Sequence, residues 1–259
     1  MAISEALQRD LKCLRLSAML GELRRLEDDP AAEAMTIHQC LEHLAAHELS
    51  VRQTRAIERR IRAAQFPAIY RLEDYDFSRM PDLEKQFIVD LHGCEWIGRG
   101  ENVIYSGGHG LGKTHLAISN GLEACEKGYS VLFRKVDRLV LELMEAREES
   151  RVLALRKKLM RVDLLICDEL GYTVFDRVGG ELLHGILCDR YEARKSVIVT
   201  TNLEFSRWVD VFKSKEMTVA LLDRLTHRCD VIVMTGKSKR REESLERQRR
   251  RLPARKERR

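Results

Sequence analysis

The 259-residue chain has no run of about 18 apolar residues that could span a bilayer, and its first residues, MAISEALQRDLKCL, lack the basic-then-apolar pattern of a secretory signal. Any C-x-x-C pair is also missing. The seven cysteines (Cys13, Cys40, Cys94, Cys125, Cys167, Cys188 and Cys229) stand singly, which excludes a disulfide framework and fits reduced thiols acting as small hydrophobes. No internal repeat is visible. His43 and His47 stand four apart beside Glu48, but the order is not H-E-x-x-H and no third ligand follows, so they read as core or surface histidines. These absences predict a cytoplasmic protein with no membrane partner.

What is present is an ordinary globular composition, 44% hydrophobic, in a chain long enough for one medium domain and a smaller one. The net charge of +5 is uneven. Gly236 to Arg259 holds twelve Lys/Arg against four Glu, a balance of +8, which leaves the first 235 residues at about −3. The basicity therefore lies in a tail that reads as a frayed helix or disordered arm.

Apolar spacing from Leu7 to Leu26, a break at Glu27-Asp28-Asp29-Pro30 and an N-cap at Thr36 predict a small all-helical domain over residues 1–68, its second long helix ending near Phe66-Pro67. An acidic and aromatic connector, YRLEDYDFSRM, leads to one further helix from Leu83 to Cys94. Tyr75 and Phe77 in this connector either flank a bound base or pack the linker. Trp96 and Trp208 read as packing residues. The runs NVIYS, SVLFR, DLLICD, SVIVTT and DVIVMT then alternate with amphipathic helices, predicting a five-stranded parallel sheet with helices on both faces over residues 69–236. Residues 237–259 form the basic tail.

Gly107, Gly112, Lys113 and Thr114 fit the phosphate-loop pattern G-x-x-x-x-G-K-[ST], between an apolar run and a helical one. Backbone N–H groups of Gly107, Gly108, His109, Gly110, Leu111 and Gly112, with His115 in the following turn, would wrap phosphates. Lys113 would reach the terminal ones and Thr114 would hold Mg²⁺. The bare pattern arises by chance in roughly one chain in a hundred of this length. Its strand and helix flanks make a glycine turn an inferior reading. Four apolar residues deliver Asp168 to a strand end as a second Mg²⁺ ligand, and Glu169 can polarise an attacking water. Asn202 ends the SVIVTT strand, where it can sense the γ-phosphate. Arg224, in the helical LLDRL, can supply positive charge.

These blocks, together with "LKCLRLSAMLGEL", "AQFPAIYRLEDYDF", "DLLICDELGY", "FSRWVDVF" and "LLDRLTHRCDVIVMTGKSKR", resemble the IstB-like family of AAA+ ATPases from about Leu11 to Arg240. That family comprises helper proteins of bacterial insertion-sequence transposons and is close to DnaC-type helicase loaders. The resemblance implies a P-loop AAA+ core using ATP and Mg²⁺, with Lys113 and Thr114 as the Walker A pair and Asp168 and Glu169 as the Walker B pair. It makes Asn202 sensor 1 and Arg224 the finger that reaches a neighbour's ATP. It also implies an ATP- and DNA-dependent homo-oligomer that binds duplex DNA and serves a cognate transposase; the alternative is a loader acting on a replicative helicase. Two departures stand out. Gly108 and His109 replace the family's Gly-Pro-x-Gly pattern, which loosens the loop, and Lys239 replaces the aromatic before Arg240, which undercuts a sensor role for Arg240.

Arg52, Arg55, Arg59 and Arg62 recur at i, i+3, i+7 and i+10 with Arg60 nearby, so four guanidiniums share a helix face. Such a stripe suits sequence-tolerant phosphate contacts with duplex DNA. The competing reading is a solvated face paired with Glu48 and Glu58.

Overall fold

Caps and borrowed charges hold the N-terminal helices. In the computed structural model, which describes residues 3–236 and Ser238, the Ser4 hydroxyl accepts from Leu7 N–H to start α1 (Glu5–Cys13). Helix α2 (Ser17–Glu27) has no side-chain cap at Leu16; instead Glu48, from α3 (Ile37–Ala64), accepts from Met19 N–H at 2.8 Å. Burial alone would raise the Glu48 carboxyl, but that N–H and Arg52 bring it below the ordinary range. Thr36 forms the expected cap as a reciprocal box: its hydroxyl accepts from Gln39 N–H, and Gln39 Oε1 accepts from Thr36 N–H at 2.8 Å. His43 and His47 both turn to buried Glu22, at 2.7 and 3.9 Å. Hydrogen bonds from Arg25 and His43 bring Glu22 down to about 2.

Contacts divide the chain into two compact units between Arg59 and Arg60, inside α3. The last turn of that helix belongs to the second unit, where Ala64 is fully buried. The helix stops at Ala64 rather than at Phe66 because Gln65 takes a left-handed backbone, φ +60°. The helix expected from Leu83 to Cys94 is shorter, α4 (Lys85–His92), and a further short helix, α5 (Glu95–Arg99), starts after Cys94 at φ +59°.

The second unit is built on strands β1 (Asn102–Gly107), β2 (Val131–Lys135), β3 (Leu164–Leu170), β4 (Ser196–Thr201) and β5 (Cys229–Met234). They pair in parallel in the order β2-β3-β4-β1-β5. Side-chain alternation sends Val103, Tyr105, Phe133, Ile166 and Ile198 to one face, under α6 (Lys113–Glu126). Ile104, Leu132, Leu165, Val197 and Val199 go to the other, under α7 (Val136–Glu148), α9 (Arg177–Glu192) and α11 (Lys215–Thr226). A shorter helix, α8 (Val152–Arg161), precedes β3, and α10 (Val209–Phe212) precedes α11. Trp96 is buried on the first face and Trp208 on the second. Among the described residues no helix is long and apolar enough to cross a membrane. Arg240 and, apart from Ser238, the tail expected over residues 237–259 lie outside the described residues.

The amino edge of this sheet is closed by a buried guanidinium. Arg190 is 0% exposed and donates to the carbonyls of Leu159, Val162, Asp163 and Ser196, at 2.6, 3.2, 3.0 and 2.7 Å. Burial pulls it down to about 10, still charged at neutral pH. Arg190→Met keeps the volume but leaves four carbonyls short of a donor. Urea unfolding should then show a loss of about 3 kcal/mol. Nucleotide affinity of the folded fraction should stay within about twofold, because the ligand edge is the opposite one.

Candidate nucleotide site

At the carboxyl edge, β1 runs into a loop whose two outer glycines are sterically required. Gly107 has φ +152°, and a Cβ there would lie 2.2 Å from Met234 O; Gly112 has φ +87°, and a Cβ would lie 2.6 Å from the Tyr75 ring. The loop ends in α6, whose first residues are Lys113 and Thr114, so unsatisfied helix N–H groups face the loop. The Lys113 ammonium donates to the carbonyls of Gly107 and Gly108 at 2.7 and 2.6 Å.

Asp168 is the point where the pieces meet. Its Oδ1 accepts from the hydroxyls of Thr114 at 2.7 Å and Thr200 at 2.6 Å, joining α6, β3 and β4. Only 1% exposed, the carboxyl is pushed up by burial, and the two hydroxyls counteract that in part. Its Oδ2 accepts no hydrogen bond among the described residues. An oxygen-only set of one carboxylate and one hydroxyl fits a hard divalent cation that keeps waters and phosphate oxygens as its other ligands. Among the described residues no cluster of three or more His, Cys, Asp or Glu could hold a metal by itself.

Glu169 sits in a bulge of β3, at φ +63°, a conformation that costs a non-glycine residue about 1 kcal/mol. Two contacts hold it. Its N–H donates to Thr200 Oγ1 at 2.9 Å, and its carboxylate takes Lys135 Nζ at 2.6 Å, a pairing that also raises Lys135. Asn202 follows the end of β4, and its amide donates to His109 Nε2 at 3.0 Å.

Thr114, Glu169, Thr200 and Asn202 line one cavity of about 260 Å³. Its walls include His109, Gly110, Leu111, Gly112, Lys113, Thr114, His115, Glu169, Tyr172 and Asn202, with Tyr70, Asp74, Tyr75 and Arg79 from the connector. Tyr75 packs the linker onto the loop: it donates its hydroxyl to Leu111 O at 3.0 Å, and burial, then Asp76, push it up to about 12. Phe77 packs edge-on against Tyr75, 4.9 Å away. The more open aromatic is Tyr70, stacked on His115 at 4.9 Å.

Lys135, Thr200 and Tyr70 were not legible as site residues. Lys135 pairs with Asp168 in the β2–β3 register, and its sequence signal was only its place directly after a predicted strand. Arg224 does not line the cavity: half-buried on α11, it donates to Ala220 O at 3.0 Å. Together with burial, which dominates, its charge depresses His184 on α9. In the first unit Arg52 is committed, through Nε to Glu48 and through Nη2 to Arg15 O, both at 2.7 Å. Arg55 and Arg59 there, and Arg62 in the second unit, are exposed and have no ion pair among the described residues.

Comparison with known proteins agrees with this architecture. The ATP-binding protein of insertion sequence IS21 from Pseudomonas aeruginosa is 33% identical over 228 residues, which is 88% of this chain and 86% of that protein. An insertion sequence ATP-binding protein of Sinorhizobium fredii is 34% identical over 247 residues, 92% and 83% of the two chains. The crystal structure of the DnaC helicase loader matches with a TM-score of 0.51 at 22% identity, covering 58% of this chain and 87% of that one, which supports the fold. The family model for IstB-like ATP binding proteins matches residues 9–247, and with a phosphate loop, a buried Asp168 and a five-stranded parallel sheet in place, the chain belongs to that ATP-binding family.

Proposed function

We propose that this chain is a DNA-binding helper ATPase that oligomerises on duplex DNA with ATP and delivers or remodels target DNA for a cognate transposase. The observation that carries the reading is convergence: phosphate loop, Glu169 and Asn202 line one cavity with Asp168 directly behind it, in a chain similar to insertion sequence ATP-binding proteins along most of its length.

The roles follow from position. Lys113, released from the Gly107 and Gly108 carbonyls, neutralises the terminal phosphates, while loop N–H groups and the α6 terminus hold the rest. Thr114 and Asp168 would hold Mg²⁺, which when bound supplies positive charge opposite the β- and γ-phosphates. Glu169 orients and deprotonates the attacking water, and Asn202 reads the γ-phosphate. Before Glu169 can do so it must leave Lys135, so the ion pair is a resting arrangement. Arg224, outside its own chain's cavity, acts on the site of a neighbouring subunit. In the helical unit, Arg55 and Arg59 contact DNA phosphates and Arg52, tied to Glu48 and Arg15, orients the helix; Arg62, in the second unit, is a further phosphate contact.

Glu169→Gln keeps the shape and removes the base. Turnover should fall at least about 100-fold, and mass photometry should show ATP-bound oligomers persisting on duplex DNA. Near-normal turnover, or monomers alone with ATP and DNA present, would contradict the assignment. Separately, Arg55→Gln with Arg59→Gln should weaken binding equally on unrelated duplexes. The slope of log affinity against log salt should fall by about 2; an unchanged slope in fluorescence anisotropy titrations would move the DNA contacts elsewhere.

A further inference from the structure

The loop position where the family pattern allows a varied residue between proline and glycine is occupied here by His109, and its ring is engaged. Asn202 Nδ2 donates to His109 Nε2 at 3.0 Å, across 93 positions of sequence. With the amide nitrogen turned toward the ring, the imidazole accepts at Nε2. The ring is also edge-on to Tyr172, with centroids 6.0 Å apart and planes at 81°. All three side chains line the nucleotide cavity. They come from three separate segments: the phosphate loop, the turn after β3 and the end of β4.

A carboxamide after a strand end can swing between rotamers and can present either its oxygen or its nitrogen to a neighbour. The bond to His109 removes that freedom. It commits one Asn202 N–H to the loop and fixes which end of the amide the cavity sees, while Oδ1 accepts no hydrogen bond among the described residues. Tyr172 limits rotation of the imidazole. Gly108, on the other side of His109, gives the loop no stiffness of its own. The cross-loop bond therefore does mechanical work that a proline-stiffened loop would not need.

We propose that His109 is a positioning residue for triphosphate discrimination: it holds Asn202 in the orientation that distinguishes ATP from ADP, and so couples the phosphate loop to the end of β4. The proposal rests on Asn202 reading the γ-phosphate, but it requires neither hydrolysis nor DNA.

The test is equilibrium competition against a fluorescent nucleotide, with Mg²⁺ and without DNA. The ratio of affinities for a non-hydrolysable ATP analogue and for ADP is measured in wild type, His109→Ala, His109→Gln, Asn202→Ala and the double alanine variant. His109→Ala should lower the ratio about two- to fivefold, the net scale of one solvent-exposed hydrogen bond. Asn202→Ala should lower it similarly and the double variant no further, because the two act as one unit. His109→Gln, which keeps a side-chain acceptor, should recover at least half of the loss. ADP affinity is read in the same titrations, so that a general loosening of the loop is told from lost discrimination by an equal loss for both nucleotides. The proposal is overturned if the wild type does not prefer the triphosphate, if His109→Ala leaves the ratio unchanged or weakens both nucleotides equally, or if the two alanine effects multiply. Absence of DNA-stimulated turnover would count against the proposed function and leave this ratio to be read independently.

Discussion

A buried carboxylate, Asp168, holds the candidate site together. One of its oxygens accepts two hydroxyls, Thr114 from the first turn of α6 and Thr200 from β4, so the helix that ends the phosphate loop, the strand that carries the acid pair and the strand that delivers Asn202 share one atom. The arrangement is costly to the isolated fold. Burial raises the carboxyl above its ordinary value, so the folded state holds this proton to higher pH than the unfolded state does. Stability is therefore lost as pH rises from the unfolded to the folded value, and at neutral pH the ionised group is a liability. A bound divalent cation would reverse that balance, which is the physical reason for a site of this kind to keep the charge.

Thr200 carries a second constraint. While donating to Asp168 it accepts the Glu169 N–H, and that bond with the Lys135 ion pair supports Glu169 in a left-handed backbone. That backbone breaks the register of β3 at Glu169, whose carboxylate lines the cavity and takes Lys135. In the role proposed for Glu169, resting and reactive geometries differ by the breaking of one ion pair between two partly exposed groups, a small energy on the scale of a binding event.

Local chemistry was legible in the sequence and distant chemistry was not. The cap at Thr36 acts on residues three apart, the phosphate loop spans seven positions, and each strand needs its own apolar run, so these could be read from neighbours alone. The ends of α3 and of α4 were missed by a few residues because Gln65 and Cys94 adopt left-handed backbones without being glycine; nothing in their identity signals this. Thr200, Lys135 and the bond between His109 and Asn202 depend on the order in which the strands pair, β2-β3-β4-β1-β5, which brings together residues 31 to 93 positions apart. The stripe of arginines was legible as a spacing, but not that Arg52 is spent within the helical unit, since its partner carbonyl at Arg15 lies 37 positions away.

If Asp168 is retained for metal and nucleotide rather than for folding, Asp168→Asn separates the two. The substitution keeps an oxygen for Thr114 and Thr200 and removes the charge. Thermal denaturation with and without ATP and Mg²⁺ should show the variant at least as stable as wild type when neither is added. Saturating ATP with Mg²⁺ should raise the wild-type midpoint by several degrees, corresponding to about 3 kcal/mol at a hundredfold excess over Kd, and should leave the variant unmoved. A variant markedly less stable without nucleotide, or one that retains the full Mg²⁺-dependent shift, would contradict the account.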